Sequence, residues 1–77
     1  MDKQKFIDEF ELALDGLEPG TLTMETNFKE LEEWDSMQAL SIIAMVDADY
    51  DTQITAEELK KSKTLQDIYD LILAKKV

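Results

Sequence analysis

The chain has 77 residues, enough for one small domain whose core must be economical because a domain this size buries little of its surface. Eighteen acids against eight lysines give a net charge of −10, with no arginine, no histidine and no cysteine. Disulfides, thiolate-metal sites and the usual general base are therefore excluded, which argues against an autonomous hydrolase or redox enzyme and for a binding, carrier or scaffold role. Between Phe6 and Leu59 there are fifteen acids and a single base, Lys29. Such a surface repels nucleic acid and anionic lipid and attracts basic partner surfaces. Apolar residues at 44% argue against disorder. There is no membrane-spanning apolar run and no secretory signal in Met1-Asp2-Lys3, so a cytoplasmic, soluble monomer is expected.

Phe6, Phe10, Ala13, Leu14 and Leu17 fall on one helical face, and Gly16 with Pro19-Gly20 supplies a stop, which predicts a first helix over about residues 2–15. Leu17 to Trp34 lacks a sustained period. Leu22, Phe28 and Leu31 are spaced to pin this loop to a core, with a short helical turn expected near Asn27–Glu33. A loop this long in a compact domain is usually functional.

A second helix should start at Asp35, where Asp35 and Gln38 form a capping-box pattern, and run to about Tyr50. It carries two stripes. Ala39, Ile42, Ile43, Val46 and Tyr50 read as its core face. Met37, Leu40, Ser41, Ala44 and Ala48 lie on roughly the other side and begin beside Ser36. The second stripe admits two readings: a helix buried on both sides, or a partner-binding surface anchored by Met37 and Leu40. Thr55-Ala56-Glu57-Glu58 is another capping box, opening a short helix to about Lys61. Thr64 caps a last helix with Leu65, Ile68, Tyr69, Ile72 and Leu73 on one face, Asp67 in its first turn and Lys75-Lys76 near its end. No β-alternation is found. The expected fold is all-α, a single domain over residues 1–77 built as a small bundle of three principal helices plus one short helix.

The block Asp35-Ser36-Met37, opening a helix after a long loop, resembles the Asp-Ser-Leu block of acyl carrier proteins. Tyr50-Asp51 is similar to that family's frequent Phe-Asp at the end of the second helix, and Thr64-Leu65-Gln66-Asp67-Ile68 resembles the start of its fourth. The likeness extends over nearly the whole chain. It implies that Ser36 accepts 4′-phosphopantetheine from coenzyme A through a magnesium-dependent phosphopantetheinyl transferase, with Asp35 assisting metal and docking. It further implies an arm carrying thioester-bound acyl intermediates between acyl-loading and acyl-transferring enzymes. The partner surface expected from the resemblance and the stripe is Trp34, Met37, Leu40, Ser41, Ala44 and Asp47. A phosphodiester on the first turn of a helix also suits the helix dipole, and the arm supplies the thiol that the chain lacks.

The chain departs from the family at Glu33, where glycine is common, at the bulky Trp34, and at Gln38 and Ser41, where housekeeping fatty-acid carriers often have acids. These departures suggest a specialised pathway. Trp34 reads either as a staple packing at the helix start or as an enzyme contact.

A competing pattern is an EF-hand-like calcium loop over Asp47–Glu58, with acids at positions one, three and five and glutamate at twelve. Thr52 stands where the sharp turn requires glycine, which disfavours it, and no resident metal is expected. A helical adaptor without covalent chemistry is the remaining alternative.

Overall fold

In the computed structural model, residues 2–14, 20–32 and 34–76 are described. They form α1 (Lys3–Ala13), a 3-10 turn (Phe28–Glu30), α2 (Ser36–Tyr50), α3 (Ala56–Lys61) and α4 (Leu65–Lys76). Helix α1 packs against α2 and α4, and α2 packs against α3. The three longer helices and the short α3 make the all-α bundle expected, and no strand occurs among the described residues. An isolated antiparallel bridge pairs Asn27 with Thr64.

Each helix start has the cap that its sequence promises. Asp2 accepts from the Gln4 amide at 2.9 Å, and Asp35 from the Gln38 amide at 3.0 Å. The box at α3 is complete in both directions: the Glu58 amide donates to Thr55 Oγ1, and the Thr55 amide to Glu58 Oε1. At α4 the Asp67 amide donates to Thr64 Oγ1, while Asp67 Oδ2 accepts from the Lys63 and Thr64 amides. Those backbone donors, Lys63 first, hold the Asp67 carboxyl below its ordinary range.

The core is aromatic at its centre. Phe6 packs edge-on to Phe10 and Tyr69, and Phe10 meets Phe28 across to the connecting segment. Ile42, Val46, Leu65, Ile68 and Ile72 complete it, all fully buried.

Helix α1 ends at Ala13, two residues short of expectation, because Leu14 leaves in an extended conformation while its side chain stays in the core. Leu17, Gly16, Pro19 and Glu33 lie outside the described residues. Gly20 has φ of +85°, a conformation that glycine adopts without penalty. The connecting segment after it is fastened from several sides. Glu11, buried on α1, accepts from the Gly20 and Leu22 amides at 2.9 and 3.0 Å. The Phe28 amide donates to the Lys63 carbonyl, and the Gln66 amide to the Met24 carbonyl. Leu22, Met24 and Phe28 are buried and the half-buried Leu31 packs against the core, so the pinning reading of this loop is sound, with Met24 as a further anchor. The turn near Asn27 is the 3-10 helix, with Asn27 capping through the Lys29 amide.

Candidate functional site

Helix α2 divides into three arcs at about 100° per residue. Ile42, Met45, Val46 and Tyr50 face the core. Met37, Leu40, Ser41, Ala44, Asp47 and Ala48 are exposed, Met37 by 75% and Leu40 by 65%. Of the two readings of the second stripe, burial on both sides is therefore wrong: a bundle this small has no further layer to cover it. The core face takes in Met45 as well, while Ala39 and Ile43 are half-buried and pack against the core from its edge.

Ala39 and Ile43 also wall a groove. It encloses about 470 Å³ between α2 and α3, within the range of ligand pockets. Ser36, Ala39, Leu40 and Ile43 line it from α2, and Ala56, Leu59 and Lys60 from α3. Lys29, Trp34 and Asp35 close it from the connecting segment. Ala39 and Ile43 keep the core contact that periodicity gives them; their second role was hidden because periodicity sees which residues share a face, not where a neighbouring helix ends.

Ser36 is the first residue of α2, exposed, at the boundary between groove and exposed arc. Asp35, in extended conformation, turns its side chain onto the Gln38 amide and so marks the helix start. Trp34 packs edge-on to Phe28 with ring centroids 4.7 Å apart, and its amide donates to the Leu31 carbonyl. It is thus a staple that also lines the groove. Ser41 spends its hydroxyl on the Met37 carbonyl at 3.1 Å. Asp47 stands on α2 away from the groove lining. Thus Trp34, Asp35, Ser36 and Leu40 converge on the groove, while Met37, Ser41, Ala44 and Asp47 extend outward from it.

The calcium-loop pattern does not match this geometry. Asp47 and Asp49 lie in α2, where side chains two residues apart diverge by about 200° and cannot share one ion. The left-handed residue is Asp51, with φ of 50°, rather than Thr52, which is buried with its hydroxyl on the Tyr50 carbonyl. Among the described residues no group of three or more acids gathers as a metal site.

A second acidic feature lies between α1 and α2. Glu9 Oε2 and the Tyr50 hydroxyl are buried close to one another, but among the described residues neither completes a hydrogen bond of ordinary geometry. Burial, then Asp49, raises the Glu9 carboxyl above its ordinary range. Burial, then Glu9, pushes the Tyr50 phenol up to about 12.

The exposed Ser36 hydroxyl at the edge of a largely apolar groove leaves space for a substituent on that oxygen. The chain's own sequence matches the family described as "Phosphopantetheine attachment site" over residues 8–72, which takes in α2, the groove and most of α1 and α4. The residues present suit that cofactor: a solvent-facing hydroxyl, a capped helix start and an apolar groove beside them. With the match spanning most of its length, the chain belongs to the phosphopantetheine-attachment family, whose members are non-catalytic carriers of a covalently held 4′-phosphopantetheine arm and work with a phosphopantetheinyl transferase and partner enzymes.

Proposed function

We propose that this chain is a single-unit acyl carrier in which Ser36 bears the arm. The observation that carries the reading is Ser36 itself, an exposed hydroxyl on the first turn of α2 at the edge of the groove. The transferase removes the Ser36 proton, joins Oγ to the pantetheine phosphorus and releases the nucleotide half of coenzyme A. The base must come from the transferase, since no histidine exists in the chain and Asp35 is committed to the Gln38 amide. Asp35 supports the same step by holding the helix start and contributing negative charge beside the incoming metal-bound coenzyme.

In this reading the cargo is an acyl group held as a thioester, for a fatty-acid-like or specialised biosynthetic route in the cytoplasm. Partner enzymes present basic surfaces to the acidic face and seat Met37, Leu40, Ser41, Ala44 and Asp47, with Trp34 at the edge of the contact. The exposure of Met37 and Leu40 supports this, because apolar side chains left in water on a charged protein favour a partner. The protein acts as a monomer.

The test is the intact mass after incubation with coenzyme A and a broad-specificity transferase. One phosphopantetheine should be added, and Ser36→Ala should remain folded and unmodified. A modified Ser36→Ala protein would move the arm elsewhere.

A further inference from the structure

Two of the eight lysines of this acidic chain stand at the groove beside Ser36. One is Lys29, the only base between Phe6 and Leu59; the other is Lys60, in the last turn of α3. The Lys29 ammonium donates to the Lys60 main-chain carbonyl, which fixes it across the space between the connecting segment and α3. An ammonium has three donors, so the one spent on that carbonyl leaves two. Neither lysine is ion-paired among the described residues; the salt bridges there are Lys5–Glu9 and Lys75–Glu58. The single carboxylate in the groove lining, Asp35, is turned onto the Gln38 amide. The remaining lining is largely apolar. A groove that is apolar along its walls and cationic on one rim, on a chain of net charge −10, has the wrong charge for a plain hydrocarbon and the right one for an anion.

Resting on the reading of Ser36 as the attachment point, we propose that Lys29 and Lys60 form an anion-recognising rim that engages a negative group delivered by the arm. Two sources share this chemistry: a carboxylate at the far end of the acyl cargo, and the phosphodiester that joins the arm to Ser36. Lys29 contributes the fixed charge and Lys60 the adjustable one, since Lys60 is exposed and its ammonium is free to swing.

The two possible responses to an added anion have opposite signs. On a chain of −10, a negative charge placed away from cations lowers stability by repulsion, whereas one seated on the rim raises it. The apo protein, the arm-bearing protein with a free thiol, and forms loaded from pentanoyl- and glutaryl-coenzyme A are compared by thermal melting. The last two have matched chains and differ by a terminal carboxylate. We expect the glutaryl form to melt about 2–6 °C above the pentanoyl form, the shift one partly exposed ion pair produces in a domain of this size. Lys60→Gln, which keeps the main-chain carbonyl that Lys29 needs, should abolish the difference, and Lys29→Arg should preserve it. If the phosphodiester is the anion, the rise appears already between the apo and free-thiol forms and is lost in Lys60→Gln, while the two loaded forms melt together. Loaded wild-type protein that gains nothing from either anion, or a gain that survives in Lys60→Gln, would overturn the rim. Failure to load at Ser36 would instead bring down the attachment site, and the rim with it.

Discussion

Two adjacent turns of α2 offer a controlled comparison of burial. Ile42 is 0% exposed, between α1 and the aromatic centre, whereas Leu40 is 65% exposed. Truncating a fully buried isoleucine to alanine costs about 2–5 kcal/mol, the transfer of its methyl groups plus the cavity left behind. A domain of 77 residues has roughly 4–12 kcal/mol in all, so Ile42→Ala removes a large fraction of it. For Leu40, only about a third of the side chain is out of water. Against about 1.5–3 kcal/mol for full burial, Leu40→Ala should cost about 0.5–1 kcal/mol. Urea melts at fixed m-value give both numbers, and a loading assay with a phosphopantetheinyl transferase gives the second readout. Leu40→Ala should slow loading while leaving the fold intact, as loss of an interface anchor does. Ile42→Ala, studied below its melting temperature, should load at a rate set by its folded fraction. A cost above about 2 kcal/mol for Leu40→Ala, or below about 1 kcal/mol for Ile42→Ala, would refute the assignment of faces.

Glu11→Ala should destabilise by about 1–3 kcal/mol, because the buried Leu22 amide and the partly buried Gly20 amide lose their acceptor; hydrogen exchange at those amides should accelerate more than at Ile68 or Ile72. Glu9 has a raised folded pKa, so the native state holds that proton more tightly than the unfolded chain, and stability falls as pH rises from the ordinary 4.5 through the folded value. Glu9→Gln should therefore be more stable than wild type at pH 7, with the difference closing in melts taken near pH 4.5. The lowered Glu58 and Asp67 act in the opposite sense, contributing stability above their ordinary values that is lost on acidification through the folded ones. Screening should also matter: with net charge −10, raising sodium chloride from low ionic strength should raise Tm, and calcium at equal ionic strength should produce no tight single-site isotherm in calorimetry.

Much of this architecture was legible in the sequence because its signals are local. Asp35, Thr55 and Thr64 each cap the helix they announce, and the apolar periods of α1 and α4 locate their buried faces, except that Leu73, at the end of the α4 stripe, is exposed. Ser36 at the start of α2 followed from the same local grammar. What escaped was set by long-range contacts. Met45 joined the core, and Ile43, packed at its edge, also came to wall the groove, because α2 meets both α1 and α3. Glu11 carries no motif of its own, although its place between Phe10 and Leu14 was a usable hint of burial. Lys29 was visible as the lone base in a long acidic stretch, but its partner, the Lys60 carbonyl, is 31 positions away.

Helix α3 has six residues, well below the length at which a helix persists on its own merits. Its shape is imposed from both ends, by the Thr55–Glu58 box at one and by Ser62 and the Lys29 donor at the other. The wall that gives the groove its width is thus the part of the molecule with the smallest cooperative reserve. Breaking the Thr55–Glu58 box should therefore loosen this wall before the Phe6–Phe10–Tyr69 centre, whose rings come from α1 and α4. The width of the groove is then set less by a rigid container than by how firmly one clamped turn is held.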